Sequence, residues 1–251
     1  MSPLLSDTAL VFGRYARQTV RSKFQILFGT LMPLLFLFFF GPLLTDLPLG
    51  AKTDSWQILV PGLVLQLALL GASFAGFSIL IEKQTGVLER MRVTPVSRLA
   101  LLLGRVLRDA ALFVFQSVLL VLAALVMGLR APLGGVLIGF AFVGVLAAAL
   151  ASLSYALAMN VSTPQEFGPV INALTMPVML LSGLVLPMTL APGWLDLLSR
   201  VVPLRYLVDA VRAGYVGDYA SAAMLYGCLV AVALAALSLI AGTRVFRKAD
   251  A

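Results

Sequence analysis

Histidine is absent from the 251 residues and cysteine occurs once, at Cys228. No disulfide can therefore close within the chain, and there is little from which to build a metal centre of His and Cys ligands. Charge is scarce as well: 12% of residues are charged and 61% are hydrophobic, against roughly a quarter charged in soluble domains. That balance excludes a soluble domain and identifies an integral membrane protein. The formal charge of +7 reads, on this apolar background, as cytoplasmic-loop arginine and lysine, and no nucleic-acid partner is expected. The apolar runs hold essentially no ionisable group, which disfavours an intramembrane enzyme and an ion-coupled secondary transporter alike. A G-x-x-x-x-G-K-[ST] phosphate loop is also missing, so the chain is not expected to bind ATP in the usual way.

What is present is a set of membrane-length runs. A crossing helix needs about 20 mostly apolar residues. Six runs qualify, at 24–44, 56–81, 110–129, 133–158, 167–190 and 222–243. Asp7, Arg14, Arg17, Arg21 and Lys23 precede the first, which is expected to stay in place as a signal anchor. An even number of spans puts both termini on one side. The N-terminus, the 82–109 segment, the 159–166 loop and the C-terminus hold thirteen of the eighteen Lys and Arg, so this side is assigned to the cytoplasm. Trp56, Trp194, Tyr206, Tyr215 and Tyr219 then fall near the outer interface, where amphipathic rings are favoured.

In Pro3 to Lys23, Leu4, Thr8, Val11, Tyr15 and Val20 follow one side of a helix, and Arg14, Arg17 and Arg21 another. This pattern suits an amphipathic helix on the inner leaflet, either as a basic topogenic tail or as a surface helix that also touches a partner. Phe36, Phe38, Phe39 and Phe40 crowd the first run beside Pro33. They either face lipid or line a path for an apolar substrate. Gly71 with Ala75, Ala72 with Gly76, and the ladder Gly144, Ala148, Ser152, Ala156 permit close helix approach, within the subunit or at a dimer seam.

The segment 82–109 holds nine charges between two apolar runs. The second span is expected to continue to Glu82 and Lys83, with Gly86 permitting a turn. Leu88 and Met91 share one face of a short helix, with Glu89, Arg90 and Arg92 elsewhere. So short a helix needs a surface to lie on. Thr94 and Pro95 form an N-cap signal that restarts a helix running into the third span. Arg98, Arg105 and Arg108 lie on one stripe, facing lipid phosphates or a protein partner.

Nearer the C-terminus, Pro177 is expected to kink the fifth span, and Ser182, Gly183, Pro187 and Pro192 to end its helix early on the outer side. Trp194, Leu195, Leu198 and Val202 are apolar while Asp196, Ser199 and Arg200 are polar, an amphipathic segment. After Pro203, Arg205, Asp209 and Arg212 at spacings of four and three form an internally paired stripe beside Tyr206. The pair reads as a partly inserted external hairpin over 191–221. Glu166, the only charge between Arg130 and Asp196, sits in a loop, where a surface or docking contact suits it better than proton coupling.

The stretch EKQTGVLERMRVTPVSRLALLLGRVL resembles the pattern of ABC-2 type transporter permeases, and LLSGLVLPMTLAPGWLDLLSRVVPLRYLVDAVRA resembles that family's second characteristic region. The resemblance implies a single all-α transmembrane domain over 1–251. Its parts would be six transmembrane helices, an N-terminal interfacial helix, a cytoplasmic coupling helix, and an external re-entrant hairpin between spans five and six. It further implies that Glu82, Gly86, Leu88, Glu89, Arg90 and Met91 couple to a separate ABC ATPase subunit, present in two copies and carrying the ATP and Mg. The second region would place Ser182, Gly183, Pro187, Trp194, Pro203, Arg205, Tyr206, Asp209 and Arg212 at an external gate. A second permease copy, identical or homologous, would complete the pathway in the cell membrane. The implied activity is export of a hydrophobic or amphipathic drug or lipid-like molecule; polysaccharide export is the alternative.

Overall fold

The computed structural model describes residues 3–45, 55–87, 97–184, 188 and 191–248, and its regular structure there is helical. The helices are α1 (Pro3–Arg21), α2 (Lys23–Thr45), α3 (Ser55–Ser73), α4 (Phe77–Gln84), α5 (Arg98–Val126), α6 (Leu133–Asn160), α7 (Pro164–Leu181), α8 (Gly193–Ser199), α9 (Pro203–Val216) and α10 (Ala222–Lys248). Five are long and apolar enough to cross a membrane, counting α3 and α4 together: Ile26–Leu43, Ser55–Gln84, Leu99–Val126, Leu133–Asn160 and Ala222–Ile240. The eighteen-residue α7, which overlaps the expected run 167–190, is not among them. It begins three residues earlier than expected, because the Thr163 hydroxyl caps it by accepting the Glu166 amide and Pro164 suits its first turn. Glu166 therefore lies in a helical first turn rather than a loop, exposed, where a carboxylate complements the helix dipole.

The second expected span is broken. α3 stops at Ser73 and α4 restarts at Phe77, because the Ser154 hydroxyl of α6 enters the gap. It donates to the Ser73 carbonyl at 2.5 Å and accepts the Gly76 amide at 2.8 Å, replacing two lost helical bonds. A Cβ at Gly76 would lie 2.5 Å from the Ser154 carbonyl oxygen, so only glycine permits this approach. Glu82 of α4 meets Arg105 of α5, and Gly71 of α3 lies against Phe113 of α5. Thus α3–α4 runs antiparallel to α5. At 30 residues it is about 45 Å long, enough to cross a hydrocarbon core of about 30 Å.

α3 is surrounded: Ile58 to Leu65 and Leu67 to Leu69 are buried on nearly every side except at Gln66. α2, α5, α6 and α9 enclose it. Lipid removes most of the hydrophobic drive between helices, so close backbone contact and hydrogen bonds must hold them. Gly62 fits under the Leu184 carbonyl, and Gly135 of α6 under that of Gly214 on α9; Cβ atoms there would stand 1.7 and 1.9 Å from those oxygens. The small-residue pairs thus include contacts within the chain, as Gly71 against Phe113 and Gly76 against Ser154 demonstrate. Gly135→Ala is expected to lower unfolding stability by about 1–3 kcal/mol through overpacking. Gly13→Ala, with open space at its Cβ, is expected to be neutral or mildly stabilising. Equal effects in detergent unfolding would refute this packing account.

α1 is amphipathic as expected, and Thr8, Val11, Tyr15 and Thr19 are buried, mostly at spacings of four. Val20, placed on that side by sequence, is instead 69% exposed. It lies five positions from Tyr15, off the stripe that Thr19 continues. Tyr215 is buried against Gly139 of α6, and its hydroxyl has no hydrogen-bond partner among the described residues.

Candidate functional site

α5 does not begin at a Thr94 cap. Its N-cap is Ser97, whose hydroxyl accepts the Ala100 amide at 3.2 Å, while Asp7 of α1 accepts the Ser97 amide at 3.4 Å. Thr94 and Pro95 lie outside the described residues. From Arg98 the helix is continuous, so the polar approach and the third span form one rod. The reading of Arg105 as part of an outward stripe is overturned by its burial.

Arg105 is 1% exposed. Its Nη2 donates to Glu82 Oε2 at 2.5 Å, and the Tyr15 hydroxyl donates to Glu82 Oε1 at 3.0 Å. The Tyr15 ring lies 4.9 Å from the Arg105 guanidinium and 5.8 Å from that of Arg108, an electrostatically favourable arrangement. Arg108 pairs with Asp109 at 3.0 Å, and the buried Tyr155 hydroxyl of α6 donates to the other Asp109 oxygen. Asp109 is 3% exposed. One cluster therefore ties α1, α4, α5 and α6 together. Burial pushes the Tyr15 phenol up to about 12 despite the neighbouring Arg105. The folded state then holds this proton between pH 10 and 12 while the unfolded state loses it, so its contribution declines as pH rises through that window.

α4 ends at Gln84 and Gly86 turns the chain with φ 69°, the left-handed conformation expected of it. Leu88, Glu89, Arg90 and Met91 lie outside the described residues. The structure thus places Glu82 and Gly86 at the start of the expected coupling segment, but turns Glu82 inward. Chemically the cluster offers no nucleophile or free base. It offers a rigid join between the polar segment and the span helices.

At the opposite end of α3, Arg205 clamps α8 to α9. Its Nη2 lies 2.6 Å from Asp196 Oδ1, and its Nη1 donates to the Asp196 carbonyl at 2.9 Å and to the Ser199 hydroxyl. Arg200 holds the other Asp196 oxygen at 2.8 Å. Hydrogen bonds from Arg200 and Arg205 keep that carboxyl below its usual range. Tyr206 donates to the Arg200 carbonyl at 2.9 Å, and Pro203 occupies the first turn of α9.

The expected stripe holds only for Arg205 and Asp209, whose charged atoms lie 3.7 Å apart. Arg212 turns away instead. It donates to the carbonyls of Ile58 at 3.2 Å, Gly183 at 2.7 Å and Leu184 at 3.3 Å, joining α9 to α3 and to the end of α7. The Gly183 and Leu184 carbonyls are free of helix bonds because α7 ends at Leu181, whereas the Ile58 carbonyl belongs to the first turn of α3 and is shared. Burial pushes the Arg212 guanidinium down to about 10, which leaves it a cation at neutral pH. Ser182 caps α7 by donating to the Met179 carbonyl at 2.9 Å, and Gly183 turns with φ 73°. The helix end expected from Ser182 and Gly183 is therefore present; Pro187 lies outside the described residues. Trp194 is 66% exposed on α8, beside exposed Leu197 and Leu198.

Sequence reasoning missed the Tyr15–Glu82–Arg105 and Asp109–Tyr155 joins. Their signal was Arg105 and Asp109 four apart in a stretch apolar enough to belong to the span.

The profile of the ABC-2 type transporter family matches residues 7–216. The chain is 26% identical over 203 residues to the putative transport permease ycf38 of Cyanophora paradoxa, covering 79% of this chain and 70% of that one. It is 27% identical over 198 residues to the daunorubicin resistance ABC transporter permease protein DrrB1 of Streptomyces coeruleorubidus, covering 75% and 67%. A probable doxorubicin resistance ABC transporter permease protein, DrrC of Mycobacterium tuberculosis, is 24% identical over 216 residues, covering 85% and 78%. The match spans the α1 interface, the buried charge cluster and the α8–α9 hairpin together, and the chain belongs to the ABC-2 type transporter family.

Proposed function

We propose that this chain, the transmembrane permease subunit of an ATP-binding-cassette exporter, converts the closure of two separate ATPase subunits into outward movement of a hydrophobic or amphipathic molecule. The observation that carries this reading is the buried join at Glu82. A push delivered to residues 86–91 meets an arm already tied to α1 and α5, so it shifts helices rather than bending a loop. The coupling contact is assigned to Leu88, Glu89, Arg90 and Met91 beside Gly86, with Glu82 holding the arm.

The remaining topology follows. Residues 167–190 supply a sixth crossing that starts in α7, both termini are cytoplasmic, and the membrane is the cell membrane. α8 and α9 form the external re-entrant hairpin, supported by the apolar exposed side at Trp194, Leu197 and Leu198 and by the Arg212 tie to α3 and α7. A second permease copy, identical or homologous, faces the exposed apolar sides of α2 and α10, where Phe38, Phe39, Leu229 and Val232 are outward. ATP and Mg reside on the motor. An ion-coupled mechanism would use Asp109, but both its oxygens are engaged by Arg108 and Tyr155.

The test is transport in sealed vesicles carrying the chain with and without the ATPase that co-purifies with it. Flux is expected to require that partner and hydrolysable ATP, and to survive collapse of ion gradients. Flux from the chain alone would overturn the proposal.

A further inference from the structure

A cleft of about 460 Å³ opens between α2, α3 and α5, within the size range of sites for drug-sized ligands. Its walls carry the rings of Phe28, Phe36, Phe74 and Phe113, and among the described residues its lining includes no charged side chain. The crowded phenylalanines of α2 thus divide: Phe36 turns into the cleft while Phe38 and Phe39 are exposed. Among the described residues, two amide side chains interrupt the apolar wall, Gln66 of α3 and Gln116 of α5.

Both amides are half used. The Gln116 nitrogen faces the Ile26 carbonyl at 3.5 Å, and the Gln66 nitrogen faces the Met179 sulfur at 3.8 Å. Acceptors at the nitrogens leave the oxygens as the free atoms. Each oxygen is buried without a hydrogen-bond partner among the described residues, and Gln116 is 2% exposed. A buried amide oxygen without a donor is destabilising, so helix packing by itself gives no reason for it.

Position adds to this. Gln116 lies eleven residues beyond Arg105 along α5, about 16 Å, which is roughly mid-membrane if the charge cluster marks one boundary. Gln66 and Gln116 stand five and three residues past the Gly71–Phe113 contact on antiparallel helices, within about 3 Å of one height. Two unsatisfied acceptors therefore share one level among aromatic rings.

We propose that this cleft binds an uncharged, flat, apolar molecule bearing hydroxyl or amide N–H donors, which Gln66 and Gln116 receive. Aromatic walls suit flat rings, the absence of lining charge selects against ions, and the paired acceptors select for donors. The inference rests on the export reading for its role as a cargo site, but binding itself needs neither motor nor flux.

The test is equilibrium binding of 1-hydroxypyrene and its methyl ether to the full chain in lipid nanodiscs, with protein-free discs subtracted. The hydroxyl probe is expected to bind about fivefold tighter or more, the value of roughly one net hydrogen bond. The single hydroxyl donates to one amide oxygen, so one of Gln116→Met and Gln66→Met should remove most of that preference, the double variant all of it, and ether binding should stay unchanged. Should a Met variant not fold, Gln66→Asn and Gln116→Asn, which keep the amide but withdraw its oxygen by one methylene, take its place. Equal binding of the two probes by the parent chain, or a preference untouched by the substitutions, would overturn the proposal. Such a failure beside intact ATP-dependent flux would leave the exporter reading standing.

Discussion

Glu82→Gln is expected to destabilise the chain by about 3–5 kcal/mol, because it leaves Arg105 buried without its counter-charge. Arg105 is too enclosed to reach water, and its Nε and Nη1 already lack hydrogen-bond partners among the described residues. Replacing both partners, Glu82→Met with Arg105→Met, should recover most of the loss, since an apolar pair of similar volume carries no desolvation penalty. Detergent unfolding of the two singles and the double measures the coupling directly. Transport then separates two roles for the cluster. If it only holds the helices together, flux returns with stability in the double; if its rigidity transmits the motor's push, stability returns and flux does not. Single variants as stable as the parent chain would show that the pair is not what joins α4 to α5.

Leu88→Asp combined with Glu89→Arg is expected to reduce ATP-driven flux at least tenfold and to abolish co-purification of the motor, with insertion and unfolding unchanged. The short helix expected from sequence after Gly86 would have too few internal bonds to persist alone, so its apolar face would need the cover of a partner. A carboxylate at position 88 puts a charge into that apolar contact, and reversing the charge at 89 sets like against like in any ion pair made there. The tenfold figure corresponds to about 1.4 kcal/mol, a modest demand for a buried charge. Normal motor recovery and normal flux in this variant would place the docking surface elsewhere.

The corrections share one cause. Arg105 looked like part of a surface stripe because charge ordinarily marks water, but the pairing of Glu82 with Arg105 and the Tyr15 ring remove that need. Arg212 looked like a partner for Asp209 because they are three apart, but carbonyls just past the end of α7, with that of Ile58 in α3, gave it better geometry. The α3–α4 break has no proline or glycine signal at Ser73 itself; it depends on a serine 81 positions away.

Apolar runs and scarce charge suffice to place this chain in a membrane, because a bilayer tolerates long helices without charge and little else. The turn at Gly86, the end of α7 at Ser182 and Gly183, and the amphipathic α1 were equally legible, since each depends on residues within a few positions of one another. Motif spacing carried the family. Packing alone revealed which charges are internal, which serine splits a span, and that Gln66 and Gln116 face one cleft. Those relations join residues tens of positions apart, and a periodic pattern along one helix holds no record of what lies across from it.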